Sequence, residues 1–311
     1  MSPDSTAKVG GGRLTTWTWP VVWLAATAAI TWSVVRFELL IVLVLTISTA
    51  LLTVVAARGA SLRLDGGWAV PLLLVGIAVV TEVVPSFTYA ARSAHDGILH
   101  LLAATCVLAA LAWRLGGRAR AFVPWIAAAG YLVAAIWVIR ADPAPRIDVW
   151  VILQQASDGL AHGGNAYSAV WHGSPGERDA FTYLPWTLVL LAPGRWLFGD
   201  VRWALTAWTL AGAGLLLALG RWRRPAAWAA AATLLLVPGT TTQVEQSWTE
   251  PLLLSLLAAW ALLVSRDRAW WAVLPLALAL ASKQHIALLL PLLAVWPAFG
   301  WRRTAAAGGV A

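Results

Sequence analysis

Residues 181–198 read FTYLPWTLVLLAPGRWLF, and where this stretch leaves the chain decides the topology of everything after it. Its apolar length is enough to cross a bilayer as a helix. Pro185, Pro193 and Gly194, however, interrupt a helix and suit an interfacial or re-entrant segment. The arginines arbitrate. With 181–198 held on the outer face, Arg114, Arg118, Arg120, Arg221, Arg223, Arg224, Arg266, Arg268, Arg302 and Arg303 all face the cytoplasm. Lys8, Arg13, Arg58 and Arg63 join them, so 14 of the 22 basic residues lie inside and 8 outside, as the positive-inside rule asks. If 181–198 spans, the RWRR cluster at 221–224 and all that follows land on the wrong side.

Working outward from that choice, spanning helices are expected near 17–35, 38–57, 68–85, 97–113, 122–139, 203–220, 226–238, 251–265, 269–282 and 285–299. The expected fold is an all-α polytopic bundle of about ten spans, with both termini cytoplasmic. Its parts are a tail (1–16), four N-terminal helices (17–121), a core (122–303) whose long outer loop covers 140–202 and carries short interfacial helices, and a cytoplasmic tail (304–311). Composition agrees, since 60% of the 311 residues are hydrophobic and only 12% charged, too few charges for a soluble domain of this size. The net charge of +8 comes from short arginine clusters between apolar runs, which reports membrane orientation and argues against nucleic acid as a partner. Cys106 is the single cysteine, which excludes an internal disulfide and a cysteine metal site.

The remaining polar residues play no part in that charge argument, yet they sort by the same topology. Eleven of the 14 acidic residues and all five histidines fall in outer loops or at outer helix ends. The outer segment 140–202 is also far longer than the five- to ten-residue inner turns, and long ordered loops usually carry function.

That segment begins ADPAPRIDVWVILQQASDGLAHGGNAYSAVWHGSPGERDAFTYLP at Ala141. Asp142-Pro143 and Pro145 make an extended exit from a membrane helix. Asp148 precedes a short amphipathic helix suited to a membrane surface, and Gly163-Gly164-Asn165 ends it. Tyr167, Glu177, Arg178, Asp179, Phe181, Tyr183 and Pro185 follow.

An aspartate after a membrane helix, then a short helix, Gly-Asn-x-Tyr and Phe-x-Tyr-x-Pro, resembles the GT-C superfamily of membrane glycosyltransferases. The likeness is to the polyprenol-phosphomannose-dependent α-mannosyltransferases of actinobacteria, over roughly residues 122–300. The resemblance implies a catalytic aspartate at Asp148, a loop-shaping turn at Gly164-Asn165-Ala166-Tyr167, and the last motif at Tyr183-Leu184-Pro185. It also implies a polyprenyl-phosphate sugar as donor, mannose by analogy, and a lipid or glycan hydroxyl as acceptor. The chemistry explains the residue types. A carboxylate takes the hydroxyl proton as the glycosidic bond forms, the transition state is oxocarbenium-like, and a cation holds the departing phosphate. The plainer reading of Asp148 is a helix N-cap, and that of Asp158 is solvated surface.

Two later outer loops are expected to face the same site. PGTTTQVEQSWTEP (238–251) offers Gln243, Glu245 and Glu250 as hydrogen-bonding partners for sugar hydroxyls, against an ordinary polar loop. Ser282-Lys283-Gln284-His285 places one of only two lysines outside, against the positive-inside trend. Lys283, with His285 and Arg178, is the expected contact for the donor phosphate, against a lysine snorkelling to the headgroups. Arg195 is a weaker phosphate candidate. His162 and His172 match no metal-ligand spacing, and no metal or other cofactor is assigned. Glu82, near a helix end, is a functional candidate only by its membrane setting.

The chain departs from the family pattern in three places. The aspartate loop of the family follows its first membrane helix, whereas here four further helices come before it; Trp186 replaces the second proline of the Tyr-Pro-Pro motif, and the core stops soon after Arg303. The four N-terminal helices are expected to fill the space of C-terminal helices that relatives carry. The competing classes are a polyprenyl-phosphate or lipid transporter and a non-catalytic membrane scaffold.

Overall fold

The computed structural model describes residues 14–33, 38–57 and 67–311, and every regular element among them is helical. Lys8, Arg13, Arg58, Arg63 and most of the expected N-terminal tail lie outside the described residues. The helices are α1 (Leu14–Ser33), α2 (Leu39–Ala57), α3 (Ala69–Val83), α4 (Arg92–Leu115), α5 (Gly117–Ala121), α6 (Val123–Ala141), α7 (Asp148–Ala161) and α8 (Pro185–Phe198). They continue with α9 (Arg202–Leu219), α10 (Pro225–Leu236), α11 (Pro238–Glu245), α12 (Glu250–Ser265), α13 (Val273–Leu280), α14 (Leu290–Val295) and α15 (Trp301–Val310).

Three of these, α4, α6 and α9, are long and apolar enough to cross a membrane. A fourth crossing is available if α11 and α12, bent by 119° at their junction, act as one broken span. Other apolar stretches, Pro20–Trp32, Leu39–Val54, Ala69–Val83, Pro225–Leu236 and Gln284–Val295, are shorter. Ten full-length spans are therefore not what the described residues form. The surface of these helices is apolar as well. Val107, Leu108, Leu111 and Leu115 of α4 and Leu132, Val133 and Trp137 of α6 are all exposed, more large apolar side chains than a water-facing surface usually carries.

Inside the bundle, small residues let helices approach. A Cβ at Gly130 would sit 2.4 Å from Thr105, so Gly130 sets the α4–α6 contact. Buried threonines satisfy themselves within their own helix, as Thr81, Thr206, Thr209 and Thr233 donate to the carbonyl four residues earlier. The N-terminal helices are part of this body. α4 packs on α6 and α10, α3 on α4, and α1 reaches α11.

The structure corrects several sequence expectations. The stretch 181–198 is not broken at Pro193 and Gly194, because α8 runs through both. Pro185 takes the first helical position, where no N–H is needed. Gly194 is there for a neighbour: a Cβ would lie 2.7 Å from the Ala204 backbone nitrogen of α9. At 14 residues the helix is about 21 Å long, shorter than the roughly 30 Å hydrocarbon core. The expected span 269–282 shrinks to the eight residues of α13. The expected span 285–299 becomes a 3-10 turn, Gln284–Leu289, followed by the six-residue α14. There Pro291 takes an N-terminal position of α14 and Pro297 follows its end, so neither permits one long helix. The supposed tail 304–311 lies in α15, with Thr304 and Ala307 buried against α13 and α14. Finally, the loop expected at 238–251 is mostly the helix α11.

Candidate functional site

The segments before α4, before α7, before α8, between α11 and α12 and after α13 meet at one end of the bundle, the crown. The bonds that hold them together run between distant parts of the chain. Trp186 and Leu184 donate backbone N–H groups to the carbonyls of Ala281 and Ser282, and the Thr187 hydroxyl donates to Ser282 at 2.6 Å. The start of α8 is thereby tied to the turn that carries Lys283.

Asp148 stands at the first helical position of α7, not at the N-cap, which is Ile147. A carboxylate there is favoured by the helix dipole. Its Oδ1 accepts the Val149 N–H at 2.8 Å and its Oδ2 the Glu177 N–H at 3.4 Å. Gly176 is pressed against it, since a Cβ would lie 2.6 Å from Oδ2. Tyr183 lies within electrostatic reach. Burial first, then the Glu250 and Asp148 carboxylates, raise its phenol above the ordinary tyrosine range. Lys283 Nζ is 5.9 Å from the Tyr183 ring centroid and 2.5 Å from Glu250 Oε1.

The Gly-Asn-x-Tyr stretch forms a turn after α7. Gly163 is left-handed at φ 74°, and the Gly164 N–H returns to the Gly159 carbonyl at 2.8 Å, closing α7. Asn165 Oδ1 accepts the Tyr167 N–H at 3.0 Å. The Tyr167 hydroxyl then donates to the Tyr183 carbonyl at 2.9 Å, and Tyr167 and Tyr183 both pack edge-on to Phe181. Thus Asn165 and Tyr167 position the strand-like segment that presents Tyr183.

Other expected residues do different work. Glu245 is buried. Its Oε1 accepts from the Thr88 hydroxyl at 2.6 Å, the Tyr89 N–H at 2.7 Å and the Ala90 N–H at 3.2 Å, so it anchors the loop between α3 and α4. Glu250 pairs with Lys283, the proposed phosphate contact, instead of standing free. Asp158, expected as solvated surface, forms a two-pronged ion pair with Arg195 at 2.8 and 2.9 Å, which occupies that arginine as well. Arg178 is exposed and donates to the Ser174 carbonyl. His285 is exposed, Gln243 is half-buried, and Glu82 pairs with His100 on the surface. Among the described residues, no three His, Cys, Asp or Glu side chains come together in a way that could hold a metal ion.

Two features escaped the sequence. Tyr89 also senses Asp148: burial, then Asp148, then Glu245 raise its phenol. A signal for it existed, because Phe87-Thr88-Tyr89 repeats Phe181-Thr182-Tyr183, and the two tyrosines approach the same carboxylate. The second is a buried knot. Arg202, fully buried, binds Asp200 at 2.7 Å and donates to the Asp142 carbonyl at 2.8 Å, while the Trp150 indole donates to Asp200. It locks the end of α6, the start of α7 and the start of α9 into one geometry.

Compared with protein-family models, curated proteins and solved structures, the chain matches none.

Proposed function

We propose that this chain is a polytopic membrane glycosyltransferase of GT-C type, with about ten crossings once its short and broken helices are counted, its termini cytoplasmic and its crown on the outer face. It moves a sugar, mannose by resemblance, from a polyprenyl-phosphate donor to a hydroxyl of a lipid or glycan. The observation that carries this reading is the convergence of Asp148, Tyr183, Glu250 and Lys283, from four segments far apart in sequence, at one end of a membrane-type bundle.

In the reaction the acceptor oxygen bonds to the anomeric carbon as the bond from that carbon to the phosphate oxygen breaks. The acceptor proton passes to the Asp148 carboxylate, and the phosphate leaves with the electron pair. Lys283, with His285 and Arg178, balances the charge on the leaving phosphate. Glu250 holds the Lys283 ammonium in place until the phosphate shares it. Tyr183, kept protonated by its surroundings, is a hydrogen-bond donor for the substrate.

The transporter alternative has one observation of its own. The α11–α12 break leaves Gln246 Nε2, Ser247 Oγ and Thr249 Oγ1 buried without partners, and broken helices line transport sites. Sugar transfer from labelled polyprenyl-phosphate mannose in reconstituted membranes separates the readings. Transfer by the wild type that is lost in Asp148→Asn, at unchanged expression, supports the enzyme and the base. No transfer by the wild type with several donor sugars overturns the enzyme reading.

A further inference from the structure

Beside the Asp148 cluster, on the flank of α7, lies a separate cavity of about 580 Å³, within the size range of small-molecule sites. Arg146, Trp150, Gln155, Asp158, His172 and Arg195 line it. Two of the lining side chains are already held by neighbours. Gln155 exchanges both of its amide groups with the His172 backbone, and Arg195 is held by Asp158 and the Gly199 carbonyl. Arg146 is the cation left over: it is exposed, precedes α7, and among the described residues has no hydrogen bond or ion pair to any side chain or carbonyl. With Arg195 and Asp158 cancelling, the cavity keeps one unspent guanidinium. Trp150 supplies an aromatic wall, its indole N–H fixed by Asp200 and its ring covered on one side by Arg202 at 5.9 Å.

We propose that this cavity binds a phosphate-bearing headgroup, Arg146 receiving the phosphate in its planar fork and Trp150 packing against the polyol or sugar. Resting on the glycosyltransferase reading, this names the acceptor class as a phosphate-bearing hydroxyl compound. The loop 173–177 connects the two places, for Gly173 and Pro175 line the cavity while Gly176 and Glu177 touch Asp148. A headgroup anchored at Arg146 has its hydroxyls beside the base.

The test is equilibrium binding to the full chain carrying Asp148→Asn in nanodiscs of neutral lipid, so that turnover plays no part. The probes are labelled short-chain phosphatidylglycerol, glycerol 3-phosphate and, as a neutral counterpart, glycerol. Binding of a phosphate probe should weaken about tenfold in Arg146→Gln, the loss of one charge-assisted contact. Arg146→Lys should retain part of it, and Arg302→Gln, which removes an equal charge elsewhere, should bind as the parent does. Retention of the lipid probe alone assigns the phosphate to a membrane lipid, and equal retention of glycerol 3-phosphate assigns it to a soluble phosphate. Equal binding by parent and Arg146→Gln, or no binding of either phosphate probe, overturns the proposal. The outcome is independent of whether Asp148 supports transfer, so loss of the enzyme reading and loss of this site are told apart.

Discussion

At the crown, the carboxylates of Asp200, Glu245, Asp158 and Glu250 are each held by named donors from other parts of the chain. At the opposite end the basic side chains lie over indoles instead. Arg114 sits 3.9 Å from the Trp68 ring centroid, Arg120 lies 5.2 Å from that of Trp113, and Arg303 lies 5.5 Å from that of Trp270. Where arginines there make hydrogen bonds, these go to backbone carbonyls, as Arg266 to Ala218 and Arg303 to Phe299. The difference is one of tolerance. A guanidinium over an aromatic ring is weakly directional and accepts some displacement. A buried charge must meet its partners closely or cost several kcal/mol. The crown therefore has a defined geometry, which a site needs, and the opposite end has an anchoring surface.

The comparison can be broken at its strongest point. Asp200→Asn leaves the fully buried Arg202 without a counter-charge. Breaking a buried pair in this way is expected to cost about 3–5 kcal/mol, read as a lower unfolding midpoint in detergent by far-ultraviolet circular dichroism. A midpoint unchanged from wild type would mean that the knot does not define the crown.

Glu245→Gln probes the same end more gently. It keeps an acceptor for Thr88, Tyr89 and Ala90 but removes the charge. A loss of roughly 2 kcal/mol is expected for bonds made to a charged group. Hydrogen exchange should rise in residues 84–91, while α9 and α12 keep their protection. Uniform loosening of the whole chain would contradict a local anchoring role.

The smallest effect should come from the other end. Arg114→Gln removes the contact with Trp68 and is expected to cost about 0.5–1 kcal/mol, as for exposed cation–π pairs. A loss matching that of Asp200→Asn would erase the distinction between the two ends.

How far the sequence reaches follows the same division. Apolar length and the arginine clusters identified a membrane-type helical chain and located α6, α9 and α12 to within about two residues, because apolar length and helix-end signals are local properties. Gly163-Gly164-Asn165 marked the end of α7 for a similar reason, since a left-handed residue and an Asx turn are built from adjacent backbone. Proline was less informative. Pro185 starts a helix and Pro193 continues one, and only packing against α9 shows why Gly194 is there. The partners of the carboxylates were out of reach. Glu245 finds donors 155–157 residues away and Lys283 finds Glu250 at 33, while Arg202 reaches the Asp142 carbonyl across 60. No local pattern encodes such pairs; burial alone brings them together and makes each charge take a partner, so the tertiary structure decided which polar residues remain free for chemistry.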